Sequence, residues 1–137
     1  MEGTISLATT PKYAKSYFVN LCQCMSLKDG ILYSKHYIFQ KSHLLTLTPK
    51  DIVCYFNIKA YGTMDPDDDA TPKLGRSSSL MFYKKAISYF MPHKLIGWNI
   101  EAGTGNPTKS IEVNDVVKKV QKWRYESREN HRKQDGH

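Results

Sequence analysis

Residues 76–91 read RSSSLMFYKKAISYFM, and their spacing predicts a helix that docks on something anionic. Ser77 or Ser78 suits the N-cap, because a short hydroxyl side chain satisfies amides that the first helical turn leaves unpaired. Leu80, Tyr83, Ile87, Phe90 and Met91 recur at three- and four-residue intervals, which gathers them on one face. Lys84, Lys85 and Ser88 fall largely on the other. Pro92 then stops the helix, since it lacks an N–H donor and restricts the residue before it.

The same grammar recurs on either side. Thr48-Pro49-Lys50-Asp51 combines a hydroxyl cap, a proline at the first helical position and an acid that complements the helix dipole. A helix is expected from there to about Tyr61, burying Ile52, Val53, Phe56 and Ala60, with Gly62 as its left-handed stop. Thr9 or Thr10 before Pro11 predicts another helix over about Pro11 to Met25, with Ala14, Tyr17, Phe18, Leu21 and Met25 on its apolar stripe and Asp29-Gly30 as the turn beyond it. Residues 31–45, ILYSKHYIFQKSHLL, favour β-structure by composition but fit neither period, so a short helix with loops is expected. Ser110 is placed to cap a last helix, with Val113, Val116, Val117 and Val120 along one stripe and Lys118, Lys119 and Lys122 along the opposite one.

Between these segments lie long connections. The loop over 63–75 holds two prolines and Asp65, Asp67, Asp68 and Asp69, and should be solvated and mobile. After Pro92, Gly97, Gly103, Gly105 and Pro107 exclude a long regular element, while Leu95, Ile96, Trp98 and Ile100 are expected to pin the loop to the core. From Arg124 onward no apolar period remains, so 124–137 is expected to fray as a basic polar tail. The expected fold is therefore all-α: a small bundle of four to five helices with long loops, one domain over 1–123 whose halves are joined by the acidic loop.

The chain has 137 residues, 20 Lys and Arg against 13 Asp and Glu, and a formal charge of +7. That length buries a core without staples. Setting aside the four acids of the 63–75 loop leaves nine acids against the same twenty bases, or +11 for the rest of the chain, a field that attracts phosphate or acidic lipid. Cys22, Cys24 and Cys54 are odd in number and imply no disulfide framework, which fits a reducing compartment. The N-terminus has no secretory pattern and no apolar run approaches a membrane span, so a nuclear or cytoplasmic protein without membrane contact is expected.

The motifs that suggest chemistry are incomplete. The acidic loop lacks the mid-loop glycine and closing glutamate of a calcium-binding hand. Cys22 and Cys24 lack the second matched pair of a zinc site and read as packed thiols. GTGNPTKS follows neither nucleotide-binding spacing, although the amides near Thr108, Lys109 and Ser110 could grip a DNA phosphate. His36, His43, His93, His131 and His137 are scattered, with no nucleophile–base–orienter set among them. No catalytic residue, metal or cofactor is expected.

The order TPKDIVCYFNIKAYGT, RSSSLMFYKKAISYFMP and WNIEAGTGNPTKSIEVNDVVKKV resembles the N-terminal core-binding domain of tyrosine recombinases, and most of all integrase-like proteins of eukaryotic mobile elements. The likeness covers about Thr48 to Lys122 and extends loosely to the first helix. It implies a SAM-like helical bundle that closes one side of a DNA duplex while a separate catalytic domain, or a separate recombinase chain, closes the other. In that family a tyrosine supported by arginines, a lysine and histidines cuts DNA in a larger C-terminal domain. Here no histidine is followed by arginine at the third position, and Tyr125 has no such partners, so strand cleavage is not expected.

Carried onto this chain, the resemblance places Arg76, Lys84 and Lys85 near the groove of double-stranded DNA. Charge and helical placement add Lys109, Lys118, Lys119 and Lys122, all as phosphate contacts. Ser79 and Asn114 are candidates for base edges. The alternatives are a helical protein–protein interaction module, anchored by Tyr83, Phe82 and Trp98, or an inert remnant of a mobile element.

Overall fold

Thr48 and Asp51 close a reciprocal cap. The Asp51 carboxylate accepts from the Thr48 N–H at 2.9 Å while the Thr48 hydroxyl oxygen takes the Asp51 N–H at 3.4 Å, so two donors of the first turn are satisfied at once. The helix this starts, α3 in chain order, runs Pro49–Tyr61 and ends at Gly62 in the left-handed region, φ 79°. The computed structural model describes the backbone of residues 3–73 and 77–135, and the side chains of residues 3–73 and 80–126.

In chain order the elements are β1 (Thr4–Ile5), α1 (Lys15–Asp29), β2 (Phe39–Gln40), α2 (Lys41–Leu44), α3, α4 (Ser77–Phe90) and α5 (Ile111–Asp135), with single 3-10 turns at Lys12–Ala14 and Pro107–Lys109. The fold is an all-α bundle. α1 packs on α4 and α3, and α5 packs on α3 and α4. Phe18, Leu21 and Met25 of α1, Ile52 and Phe56 of α3, Leu80 and Ile87 of α4, and Val113 and Val120 of α5 fill the centre, sealed by Phe39, Leu44 and Leu47. Burial of this kind, rather than helix propensity, is what stabilises short helices.

The stripes of α3, α4 and α5 fall where the sequence places them, with Val53, Tyr83 and Val116 half-buried at their edges. Ser110 caps α5, its hydroxyl oxygen accepting from the Val113 N–H at 3.2 Å. The first residue of α4 is Ser77, so any cap lies at or beyond the edge of the described residues.

Four expectations need correction. α1 begins at Lys15 rather than Pro11, because the Thr9 and Thr10 hydroxyls both donate back to the Ser6 carbonyl, at 3.1 and 2.6 Å, and so close the preceding turn instead of capping the helix. At its other end α1 continues past Met25 to Asp29 and stops at Gly30, φ 68°. Residues 31–45 do contain the short helix, α2, but they also carry β2, paired antiparallel to β1 with Ile5 opposite Phe39. Beyond Arg124 the backbone stays helical to Asp135; the run is rich in Arg, Glu, Lys and Gln, which favour helix without any packing, and Lys122 reaches Glu126 one turn on at 3.9 Å.

The fourth correction concerns the loop after α4. Leu95, Ile96 and Ile100 are 86%, 59% and 72% exposed, so they do not pin it. Only Trp98 is half-buried. The loop instead folds on itself as a small hairpin: Asn99 donates to the Thr104 carbonyl at 2.8 Å, and Asn106 to that of Ile96 at 2.9 Å. Gly105 sits at φ 103°, and a Cβ there would collide with the Gly97 carbonyl, so only glycine lets the two strands of the hairpin approach.

The acidic loop is solvated at Asp65, Asp67, Asp68 and Asp69, yet it is anchored where Pro72 is buried and where the Lys73 N–H donates to the Ala60 carbonyl at 2.6 Å. No helix among the described residues is long and apolar enough to cross a membrane.

One polar cluster ties α1 to the segment that follows it. Asp29 receives Lys28 at 2.6 Å, the Tyr33 hydroxyl at 2.7 Å and His43 Nε2 at 2.7 Å. Burial pulls the Asp29 carboxyl up, but these hydrogen bonds outweigh it and hold the group at about 2, against an ordinary 3.8. A carboxylate with a depressed value stabilises the fold above its unfolded value and loses that contribution as pH falls. The urea midpoint is therefore expected to drop between about pH 4 and pH 2, and Asp29→Asn to flatten that drop; equal pH profiles for the two proteins would contradict the assignment.

Candidate nucleic-acid interface

Three lysines from two separate segments meet beside α4. Lys84 and Lys85 leave consecutive positions on its solvent side, and Lys109 is brought to them by the 3-10 turn that precedes α5. With Met81, Phe82, Ser88 and Thr108 they border a groove of about 500 Å³. Met81 and Phe82 give it an apolar floor, 45% and 38% exposed.

The fold holds the turn in place through one buried side chain. Asn106 is fully buried. Its amide nitrogen donates to the Ser88 hydroxyl at 2.8 Å and the Lys94 carbonyl at 3.0 Å, while its oxygen accepts from the Thr108 N–H at 3.0 Å and the Thr108 hydroxyl at 2.7 Å. Both donors and both lone pairs of that amide are used, which fixes Lys109 against α4.

The lysines differ in what they can do. Lys84 donates to the Asn114 side-chain oxygen at 2.5 Å and so staples α4 to α5. Burial lowers its ammonium below the ordinary lysine value, and the positive charge of Lys109 lowers it further. Two like charges share the groove, and a bound anion relieves that repulsion. Lys85 and Lys109 are exposed, and no carboxylate of the described residues pairs with either.

The other candidates separate. At about 100° per residue, Lys118 lies roughly 40° from Asn114 around α5 and Lys119 roughly 140°. Lys118 thus lies on the same side of α5 as Asn114, one turn further on. Lys119 turns to the α3 side, where its ammonium stands 5.8 Å from the Tyr61 ring centre. Lys122 is exposed beside Glu126. Of the expected phosphate contacts, Lys84, Lys85 and Lys109 thus border one groove, while Lys118 lies on the neighbouring face of α5. Arg76 and the Ser79 side chain lie outside the described residues. Asn114 is engaged by Lys84 and is not free to present its oxygen to a base.

No family model matches the chain, and neither a curated protein nor a solved structure matches it significantly.

The turn offers no backbone cradle at Thr108, Lys109 and Ser110 and is an ordinary connection between helices. Their N–H groups already donate to Asn106 Oδ1, to the Asn106 carbonyl at 3.0 Å and to the Pro107 carbonyl at 3.2 Å. Any anion at this turn is met by side chains. Nor does the groove hold a nucleophile with a base: the Ser88 hydroxyl accepts from Asn106, and His43, the histidine with a defined carboxylate partner, is committed to Asp29.

Cys22 and Cys24 are buried free thiols; burial raises Cys22 to about 11 and Cys24 further still, the behaviour of packed core groups. No group of three or more His, Cys, Asp or Glu among the described residues is placed to hold a metal ion.

Sequence reasoning missed Asn106, Lys94 and Lys59. The Asn-Pro pair at 106–107 signals a turn, but nothing local shows that the asparagine is the buried organiser. Lys94 lies 5.2 Å from the Tyr89 ring centre, and Lys59 5.5 Å from those of Tyr55 and Tyr83; the Tyr55–Lys59 spacing of i, i+4 is visible in the sequence, whereas the approach to Tyr83 joins two helices and leaves no mark there.

Proposed function

We propose that this chain is a non-catalytic DNA-binding module, similar to the core-binding domain of a tyrosine recombinase, that holds duplex DNA mainly through phosphate contacts. The supporting observation is the convergence of Lys84, Lys85 and Lys109 on one groove, with none of the three ammonium groups paired to an acid among the described residues and only Lys84 engaged by another side chain, Asn114. Like-charged side chains held together by a fold repel one another, and a polyanion compensates that cost. Phosphate contacts position a protein without reading sequence, so modest discrimination between duplexes is expected. On this reading a separate recombinase chain supplies cleavage, and the protein works where DNA is handled in the nucleus or cytoplasm.

The test is charge reversal at the two free lysines. Lys85→Glu with Lys109→Glu is expected to weaken binding of a labelled duplex roughly ten- to hundredfold and to reduce the salt slope by about 2, near one per lost contact. Lys84 is left intact because it staples two helices. Unchanged affinity in the double variant, with its thermal unfolding unaltered, would remove the groove from the interface.

A helical protein-interaction module remains the second reading, favoured by one observation: Leu95, Ile96 and Ile100 are all exposed on the hairpin after α4. Replacing them with serine leaves duplex affinity unchanged if the first reading holds.

A further inference from the structure

Beside the lysines, a row of aromatic rings runs along the seam between α1 and α4. Tyr13 lies edge-on to Tyr89 with centroids 6.5 Å apart, Tyr89 to Tyr17 at 5.7 Å, and Tyr17 to Phe82 at 5.5 Å. The row is open at both ends: Tyr13 is 75% exposed and Phe82 38%. On α4, Phe82, Lys85 and Tyr89 are spaced i, i+3 and i+7 and share one side of the helix, while Lys84 and Ser88 turn toward Asn114 and Asn106 on the α5 side. The exposed surface of α4 therefore carries Phe82 and Tyr89 with the Lys85 ammonium between them along one edge, and Lys84 on the other, turned to Asn114. At the far end, Tyr89 and Lys94 border a second groove of about 330 Å³.

We propose that this surface binds single-stranded nucleic acid, with the phosphate backbone along Lys85 and Lys109 and unpaired bases stacked on Phe82 and Tyr13. The inference rests on the chain being a nucleic-acid binder and adds the state of the strand it takes. A duplex hides its base faces in its own stack, so exposed rings add nothing to duplex affinity. An unpaired strand offers a π-face at every base, and pairing such faces with a cationic row is how strands are held without sequence preference. Tyr17 and Tyr89, in the middle of the row, are half-buried and pack against the core, but core packing does not account for its ends, since Tyr13 is mostly in solvent and Phe82 is exposed.

The experiment is an anisotropy titration of labelled oligo(dT) of about 12 nucleotides, a length within the usual site size, run beside a mixed-sequence duplex of the same length. Phe82→Ala and Tyr13→Ala are each expected to weaken oligo(dT) binding at least about fivefold, and Tyr13→Ala, which lies outside the lysine groove, to leave duplex binding unchanged. Tyr89→Phe keeps the ring, loses only the weak contact between the Tyr13 and Tyr89 hydroxyls at 3.4 Å, and is expected to bind as the native protein does. Tyr13→Ala removes a side chain that lies mostly in solvent, so the test stands even if Phe82→Ala perturbs the fold. Oligo(dT) binding that ignores both ring deletions, or duplex binding without oligo(dT) binding, overturns this inference and leaves the duplex reading in place. Failure to bind either strand form overturns both.

Discussion

Phe18→Ala is expected to lower stability by about 4 kcal/mol, the usual cost of emptying a fully buried phenylalanine site. Phe18 is inaccessible to solvent and lies edge-to-face against both Phe39 and Phe90 with centroids 5.9 Å apart. It is thus the residue through which α1, β2 and the end of α4 meet. The substitution removes the transfer energy of the ring, leaves a cavity the surrounding helices cannot fully close, and loses two aromatic contacts. For a domain whose total stability is on the order of 5–15 kcal/mol this is a large fraction, and the urea midpoint reports it directly. Phe18→Leu, which keeps much of the volume, should cost about 1.5 kcal/mol. A loss below about 1 kcal/mol for alanine would mean that the junction of α1, β2 and α4 is not the centre of the core.

Asn106→Asp is expected to cost about 3 kcal/mol although it changes almost no volume. The native amide nitrogen donates to the Lys94 carbonyl and the Ser88 hydroxyl. A carboxylate has no donor to offer and places an acceptor against that carbonyl inside a site closed to water, so the penalty combines an unsatisfied backbone group with a buried charge. The shift in melting temperature should be roughly 10 °C for a chain of this size. The same change loosens the turn that carries Lys109, so duplex affinity should fall with it. A melting temperature within about 2 °C of the native value would show that the hairpin and turn are held by something other than this amide.

What the sequence discloses follows from how local each cause is. The cap and stop of α3 depend on residues within one turn of either end, Thr48 with Asp51 at the start and Gly62 at the finish, so the order of residue types alone announces both. The apolar stripes of α4 and α5 are equally plain, because helical spacing alone gathers them. The start of α1 is misplaced because Thr9 and Thr10 can cap a helix or close a turn, and only the position of Ser6 decides between the two. Leu95, Ile96 and Ile100 mislead for a different reason: hydrophobicity is a one-way guide to burial, and here hydrogen bonds fold the loop while the apolar side chains stay in solvent.

The candidate site divides in the same way. That α4 carries paired lysines is legible, and so is the basic balance of the chain. The approach of Lys109 to them is not, since it depends on Asn106 reaching Ser88, 18 positions away. Nor is the engagement of Lys84 with Asn114 across 30 residues, which makes one of the expected DNA contacts a structural link as well. Lys119 keeps its charge but lies over Tyr61, because the rotation of α5 that buries Val113, Val117 and Val120 carries it to the opposite flank from the groove.

The most direct measurement is the dependence of duplex affinity on salt for the native protein, taken as the slope of log K against log salt from anisotropy titrations. Lys84, Lys85 and Lys109 contacting three phosphates give a slope of about −2.7, and participation of Lys118 steepens it to about −3.6. A slope near zero, or no duplex binding at low salt, would contradict phosphate binding at this groove and leave the exposed hairpin as the surface that explains the chain.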